Sequence, residues 1–372
     1  MSPARQATYW ALAMALLLVA VYLLSTIIVP FVAGLAIAYF LDPIVDRLET
    51  HKLGRALATT IVLLLFFLFL VGSLFLLAPV LLDQIFGFVE SFPGYVLKAR
   101  DVLLPWVSKI GAQFGINIEA DAKAAMANIS KNAMSFAAGL VQRVWSGGMA
   151  FFHLLSLLVI SPIVAFYILR DWDRLTAKID GWLPRQHEPE IRKILVDVDA
   201  VLAGFVRGQG TVCLILGTFY ALGLSLAGLD FGLFIGLFAG LVSFIPFVGV
   251  IVGLILSMMT ALTQFWPDYT SIGIVASVFV IGQMLEGYVL TPRLLGNKVG
   301  LHPVWVIFAL LAGGALFGFV GVLIAIPVAA VIGVLARYFI THYLGSQLYL
   351  GPAGLQPTSG ENSSDKMEIE SD

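Results

Sequence analysis

The chain has 372 residues, of which 60% are hydrophobic and 12% are charged, and its formal net charge at pH 7 is −2. Ordinary soluble domains carry about 25% charged residues, so this composition indicates an integral membrane protein. The small net charge and the lack of any block rich in Lys and Arg argue against a nucleic-acid partner. With Cys213 as the single cysteine, an intrachain disulfide is excluded.

Seven apolar regions are long enough to enter or cross a bilayer, whose hydrocarbon core takes about 20 helical residues. In chain order they are residues 7–41, 56–82, 149–169, 204–229, 231–263, 269–291 and 301–336. The first, fifth and seventh regions are too long for one crossing and too short for two, and they contain Pro30, Pro246 and Pro327 respectively. We therefore predict that each forms a hairpin of short or tilted helices broken at its proline, with Gly249 beside the second break.

Basic residues beside the span ends set the predicted orientation, because Lys and Arg concentrate in cytoplasmic loops. The connection 264–268 carries no basic residue and is therefore predicted to lie outside. If each long region is a hairpin that returns to its starting side, all the basic loops lie inside. Both termini are then cytoplasmic.

The predicted spans and their orientation divide the chain into six parts. They are N-terminal membrane helices (1–82), an amphipathic periplasmic helical region (83–148), a membrane helix (149–169), a cytoplasmic linker helix (170–203), a C-terminal membrane core with broken hairpins (204–340), and a cytoplasmic tail (341–372) that is disordered from about residue 351 because of its Pro, Gly, Ser and acidic content.

Two further patterns concern packing. Gly232, Gly236 and Gly240 fall four residues apart, which clears one helix face and lets another backbone approach. The approaching helix belongs either to the same chain or to a second copy, so a homo-oligomer through these glycines is one of two alternatives. The stretches "IPFVGVIVG" (245–253) and "IPVAAVIGV" (326–334) are similar and indicate an inverted repeat.

No sequence motif for catalysis is found. A phosphate-binding loop ending in Gly-Lys-Ser/Thr, a His pair with zinc-ligand spacing and a pair of Asp residues within spans are all missing from the sequence. We therefore predict that the protein is not an enzyme and needs no cofactor or metal.

Charged residues in the membrane are costly and mark functional sites by default. Glu286 is the deepest, because it lies seven residues before Arg293, about 10 Å along a helix. Gln283 precedes it on the same predicted face, and Arg207 lies near the inner end of its span. Glu286 either carries a proton or cation during transport, or it pairs structurally with Arg207 or Arg293.

Three stretches carry a resemblance to a known family: "PFVAGLAIAYFLDPIVDRLE" (30–49), "GQGTVCLILGTFYALGLSLAGLDFGLFIGLFAGLVSFIPFVGVIVG" (208–253) and "EGYVLTPRLLGNKVGLHPVWVIFALLAGGALFGFVGVLIAIPVAAV" (286–331). They resemble the autoinducer-2 exporter family of bacterial permeases. The family's recurrent positions match Arg207, Gln209, Pro246, Gly249, Gln283, Glu286, Pro292, Arg293, Gly296 and Pro303.

The resemblance implies an all-α, multi-pass transporter of the bacterial inner membrane with about eight spans. Family members are linked with export of autoinducer-2 or with sodium/proton antiport. The expected partners are therefore the lipid bilayer and a small-molecule or ion substrate. In the leading hypothesis the broken hairpins bind solute near the midplane and Glu286 couples its movement to an ion gradient. The alternative is a non-transporting membrane scaffold or a passive oligomeric pore, in which the prolines and glycines serve packing alone.

Overall fold

The computed structural model describes residues 25–113, 148–295 and 300–346, together with a few single positions elsewhere. Every regular element in these residues is a helix. In chain order the elements are α1 (Ser25–Thr50), α2 (Arg55–Gln113), α3 (Gly148–Gly181), α4 (Glu188–Leu226), α5 (Gly232–Val242), α6 (Val248–Gln264), α7 (Tyr269–Met284), the π-helix π1 (Leu285–Leu295) and α8 (Pro303–Leu344).

Within the described residues, five helical stretches are long and apolar enough to cross a bilayer. They are Ile28–Thr50, Arg55–Lys98, Glu188–Leu226, Tyr269–Leu295 and Pro303–Leu344. Helices α5 and α6 are shorter and also apolar. The predicted class, an all-α membrane protein with several spans, is confirmed.

Helix α1 passes through Pro30 without a break, so the predicted turn at Pro30 is wrong. Pro30 is buried, and its carbonyl oxygen accepts a hydrogen bond from Ser161 Oγ of α3 at 3.0 Å. A Cβ at Gly34 would lie 2.8 Å from the carbonyl oxygen of Ser161, so only glycine lets the two backbones approach this closely. Packing against α3 stabilises the helical form of α1 even though proline removes one of its internal hydrogen bonds.

Helix α2 is a single element of 59 residues. At 1.5 Å per residue it is about 88 Å long, roughly three times the thickness of the hydrocarbon core. The predicted boundary between a span ending at residue 82 and separate periplasmic helices therefore falls inside one continuous helix. Residues 114–147 lie almost wholly outside the described residues, as does the tail from residue 351.

Helices α3 and α4 meet in a short turn, 182–187, that contains Pro184. Arg192 fastens the turn: its Nε and one terminal nitrogen donate to the two carboxylate oxygens of Asp180 at 2.8 and 2.7 Å. These hydrogen bonds hold the pKa of Asp180 below its usual range. Helix α4 then runs from Glu188 to Leu226, so the predicted linker helix and the following span form one element.

Helix α4 is the centre of the C-terminal half. Its fully buried side chains pack with residues of α5 and α7 in one core: Leu216, Tyr220, Leu224, Ile235, Val275 and Phe279. A second core joins α1, α2 and α3 through Leu41, Val45, Ala58, Ala165 and Leu169. A smaller cluster joins α4 and α8 through Val201, Ala330 and Val334. Within the described residues the helices thus form two main packed groups, which meet where α1 contacts α4 and where Phe88 of α2 packs in the first core.

Helix α5 runs antiparallel to α4 in backbone contact with it. The contacts pair the three glycines of α5 with α4 positions in reverse order: Gly232 with Leu224, Gly236 with Ala221, and Gly240 with Gly217. Any side chain at Gly236 or Gly240 would overlap the α4 backbone. The glycine face is thus used within the chain, and an oligomer contact through it would have to displace α4.

Helices α5 and α6 form a hairpin whose break, residues 243–247, contains Pro246. Phe247 at the start of α6 has a positive φ of 68°, which turns the chain back. Gly249 packs against Ser243 so closely that a Cβ there would overlap Ser243 and lie 2.6 Å from the carbonyl oxygen of Ala239. Movement of this hairpin about Pro246 and Gly249 stays a prediction.

Helix α8 is also a hairpin, but its turn lies at Gly318 rather than at Pro327. Gly318 has φ 59° and ψ −139°, a conformation open in practice only to glycine. The chain folds back there, because a Cβ at Gly313 would lie 2.5 Å from the carbonyl oxygen of Gly321. Pro327 lies inside the second helical arm, so the predicted break at Pro327 is wrong. The two similar Ile-Pro stretches therefore have different structures and give no support to an inverted repeat.

Candidate functional site

The two ends of the helix bundle serve as reference points. At one end, which we name the Arg55 face, α2 begins and the side chain of Arg55 contacts α3. At the other end, the Trp266 face, the α5–α6 hairpin begins and ends, and Gln264 Nε2 donates to the carbonyl oxygen of Gly228 at 2.8 Å. The hairpin thus enters the bundle from the Trp266 face and turns inside it.

The tip of the hairpin is fastened to α4 by a buried amide. Gln209 is 3% exposed, and its Nε2 donates to the carbonyl oxygen of Ser243 at 2.6 Å. Ser243 Oγ donates in turn to the carbonyl oxygen of Ala239 at 2.8 Å. Since the end of α5 leaves carbonyl groups without helical partners, Gln209 satisfies one that water cannot reach in a membrane.

The π-helix π1 packs beside the same part of α4. A Cβ at Gly208 would lie 2.9 Å from the carbonyl oxygen of Leu294, and the ring of Tyr220 lies against Gly282 at the end of α7. Helices α7 and π1 therefore run antiparallel to α4. π-Helical turns are rare in proteins, and those that occur are often found at functional sites. This one contains Glu286.

Glu286 lies half-buried on π1, facing α4. Its charge acts on the Tyr220 hydroxyl and on the Cys213 thiol, both on α4. Arg207 is paired elsewhere and Arg293 is exposed, and neither forms an ion pair with Glu286. The structural pairing considered from the sequence is thus wrong for both arginines. In the part of the chain that the structure describes, the Glu286 carboxylate forms no ion pair.

Gln283 precedes Glu286 by three residues, and its side chain is exposed whereas that of Glu286 is half-buried. The change from α-helix to π-helix at Leu285 separates the two residues. A helical face calculated with 3.6 residues per turn therefore does not continue across this point.

Arg207 joins the two groups of helices. Its Nε donates to the carbonyl oxygen of Tyr39 at 2.7 Å, and a terminal nitrogen donates to Asp42 Oδ2 at 3.0 Å. Tyr39 completes the contact by donating from its hydroxyl to Asp199 Oδ1 at 2.9 Å. Asp42 and Asp199 were missed as site residues from the sequence. A signal was present for Asp42, which is the first acidic residue in the chain and follows a long apolar run.

A small cavity of about 30 Å³ with both polar and apolar walls lies at this junction. Tyr39, Asp42, Asp199 and Arg207 line it, together with Trp172 of α3 and three apolar neighbours. A space of this size holds one water molecule. The junction therefore places polar groups of α1 and α4 around a water-sized space near the Arg55 face.

Arg55 extends this polar junction to α2 and α3. Its side chain is only 16% exposed, and its Nε donates to the carbonyl oxygen of Leu169 at 2.8 Å. Its terminal nitrogens pair with four carboxylates: Asp173 at 2.8 Å, Glu49 at 3.3 Å, Asp42 at 3.5 Å and Asp46 at 3.6 Å. Asp42 thus interacts with both Arg55 and Arg207, and one charged network extends across the Arg55 face.

The sequence matches a known protein family over most of its length. Residues 12–340 match the model of the family described as AI-2E family transporter. The chain belongs to this family of membrane transporters.

Two relatives show how far the similarity extends. The "Putative transport protein YrrI" of Bacillus subtilis (strain 168) is 27% identical over 324 residues, which is 85% of this chain and 88% of that protein. The "Putative permease PerM" of Escherichia coli (strain K12) is 26% identical over 333 residues, which is 87% of this chain and 91% of that protein. The similarity therefore extends over nearly the whole membrane part of this AI-2E family transporter.

The family-motif residues named from the sequence fall in two places. Pro292 and Arg293 lie in π1, and both are exposed. Pro303 is the first residue of α8, where Nδ1 of His302 accepts a hydrogen bond from the backbone nitrogen of Val304 at 3.3 Å. Gly296 lies outside the described residues. The structure thus brings Gln209 and Gly249 together at Ser243, places Glu286 on π1 against another part of α4, and places Arg207 nearer the Arg55 face.

Proposed function

We propose that this AI-2E family transporter is a secondary transporter of the bacterial inner membrane, in which Glu286 carries the coupling proton or cation. The observation that carries the proposal is the Glu286 carboxylate itself, half-buried on a π-helix between apolar helices, with no ion-pair partner in the described residues. A carboxylate in hydrocarbon is costly unless it is neutralised. A proton or a monovalent cation neutralises it in each transport cycle.

The α5–α6 hairpin supports a solute path beside Glu286. Its broken backbone lies inside the bundle, where irregular structure is tolerated only when protein or a water-filled cavity surrounds it. Transporters use such breaks to present backbone groups to a solute near the midplane. The proposed path runs between α4, the hairpin tip around Ser243, and π1.

For the transported species we propose a small polar solute such as autoinducer-2, or exchange of sodium for protons. The description of the family supports the first, and an unpaired carboxylate suits both. We further propose that the Arg55 face is cytoplasmic and that both termini lie on that side, because the basic residues predicted to lie inside include Arg47, Lys52 and Arg55.

The test uses purified protein in sealed vesicles, with Na⁺ and autoinducer-2 as separate probes and an imposed pH gradient. Wild-type protein is expected to move at least one probe at a rate that rises steeply with the gradient. Glu286→Gln keeps the size and hydrogen bonding of the side chain and removes its charge, so gradient-driven flux is expected to fall at least about tenfold. Glu90→Gln, at an exposed carboxylate of α2, is the matched control and keeps wild-type flux.

Three outcomes contradict the proposal. A stable Glu286→Gln protein that still couples flux to the gradient excludes the carrier role. Flux that ignores the gradient in wild-type protein indicates a passive pore. A Glu286→Gln protein that melts several degrees lower and loses flux only in proportion to its folded fraction indicates a structural carboxylate.

A further inference from the structure

Tyr220 has a buried hydroxyl group without a partner. The residue is 0% exposed, and its ring stacks on Phe279 with 4.8 Å between centroids. Three buried side-chain polar atoms in the described residues lack a hydrogen bond, those of Thr59, Tyr220 and Ser257. Because nearly all buried polar groups in proteins are satisfied, such a hydroxyl needs an explanation.

The hydroxyl lies next to the start of π1. A Cβ at Gly282 would lie 2.7 Å from the Tyr220 hydroxyl oxygen, so the phenol fits against this helix only because residue 282 has no side chain. Glu286 follows Gly282 by four residues, so the two positions are about 6 Å apart or less along the helix axis. The unsatisfied hydroxyl of α4 therefore contacts the α7–π1 helix only four residues before Glu286.

Few other titratable groups in the described residues lie on the helices around Glu286. On α4, the charge of Glu286 acts on Tyr220 and on Cys213, and a thiol is a weak donor. Helices α5 and α6 contain no titratable residue, and α7 contains only Tyr269 at its far end. On π1 itself, Tyr288 and Arg293 are exposed. Of these two α4 groups, the Tyr220 phenol is the stronger hydrogen-bonding group, whereas Arg207 and Gln209 of α4 already hold other partners.

We propose that Tyr220 is a positioning residue that pairs with Glu286 during transport, through a hydrogen bond that the present conformation leaves unmade. A phenol serves both states of the carboxyl group: it donates to the ionised form and accepts from the protonated form. The coupling proton stays on Glu286, and Tyr220 keeps its own. The bond to the charged form is the stronger of the two, so the pairing links the charge on Glu286 to the position of π1 against α4. This inference rests on the proposed role of Glu286.

The test is Tyr220→Phe, which removes one oxygen and keeps the stacked ring. Because the variant loses a buried unsatisfied group, its melting temperature is expected to equal or exceed that of the wild type. Its flux against pH, measured in vesicles with the probe that the wild type moves, is expected to shift toward higher pH by about one unit. The shift follows because the ionised carboxylate loses its donor. Tyr288→Phe, an exposed phenol on π1, is the matched control and keeps the wild-type profile.

A spectroscopic measurement makes the result independent of flux. The carboxyl C=O stretching band of Glu286 is assigned in infrared difference spectra by its loss in Glu286→Gln, and it is expected to shift in Tyr220→Phe and not in Tyr288→Phe. An unchanged pH profile and an unchanged band in Tyr220→Phe overturn the inference while the role of Glu286 stands. If Glu286→Gln itself transports normally, the proposed function fails, and this inference fails with it.

Discussion

A single amide on α4 holds the tip of the α5–α6 hairpin. Gln209 Nε2 is 2.6 Å from the carbonyl oxygen of Ser243, and both residues are buried. In a membrane neither group has water as an alternative partner. The position of the hairpin tip relative to α4 therefore depends on this bond together with the glycine contacts of α5.

Replacing Gln209 with leucine is expected to lower the free energy of unfolding by about 1–3 kcal/mol, because the Ser243 carbonyl oxygen is left buried without a donor. The measurement is thermal unfolding of purified protein in detergent. Gln283→Leu, at an exposed glutamine of α7, is the control and is expected to change stability little. Equal melting temperatures for the two variants would show that the amide does not hold the hairpin.

For single residues, sequence analysis predicted which side chains matter better than it predicted their contacts. Glu286 and Arg207 stand out because charge is rare within apolar runs. The partners of Arg207, which are Tyr39 and Asp42, lie more than 160 positions away in the chain. Tyr220 gives no signal at all, since a tyrosine in an apolar helix is ordinary and its unsatisfied hydroxyl is visible only after packing.

At the scale of elements, two long apolar regions do turn back, and they do so by different means. The α5–α6 turn contains a proline, whereas the α8 turn uses Gly318 at φ 59°. Proline lacks one backbone donor and blocks one carbonyl, which a helix tolerates when neighbours pack well, as at Pro30 and Pro327. A reversal in direction requires unusual dihedral angles, which Gly318 supplies in α8 and Phe247 supplies in the α5–α6 turn. Hydrophobic length therefore predicts that a region bends, while the site of the bend depends on packing.

Gly318→Ala is expected to destabilise the protein by about 1–3 kcal/mol, because alanine is strained at these dihedral angles. Pro327→Ala is expected to be neutral or stabilising, since alanine restores a hydrogen-bond donor inside a helix. Both are measured by thermal unfolding in detergent, with wild type alongside. If Pro327→Ala is the more damaging of the two, the turn lies at the proline after all.

On the scale of the whole molecule, α1 of one group of helices meets α4 of the other through few polar contacts. Arg207 with Asp42 and Tyr39 with Asp199 join them near the Arg55 face. Gly210 adds a close contact, since a Cβ there would lie 3.3 Å from the ring of Phe40. A junction of this kind is suited to small relative movements of the two groups.

The proposed orientation is tested with single cysteines in a Cys213→Ala background. Lys98→Cys on α2 is expected to react with a membrane-impermeant maleimide added to intact spheroplasts, because residue 98 lies beyond the predicted outer boundary. Lys178→Cys on α3 is expected to react only after permeabilisation. Both lysines are exposed, so they form a matched pair. The opposite labelling pattern would show that the true topology is the inverse of the proposed one.

The length of α2 has a mechanical consequence. Near its start, Arg55 binds the charged network, and further along, Gln84 Oε1 accepts a hydrogen bond from the backbone nitrogen of Phe234 at the start of α5. Phe88 packs on Phe231 and Phe234 beside it. Helix α2 therefore acts as a strut between the charged network of the Arg55 face and the start of the α5–α6 hairpin at the Trp266 face, over roughly 45 Å. Tilting such a strut would loosen one end as it presses on the other. It would therefore resist the opening of both faces at the same time, as the proposed carrier mechanism requires.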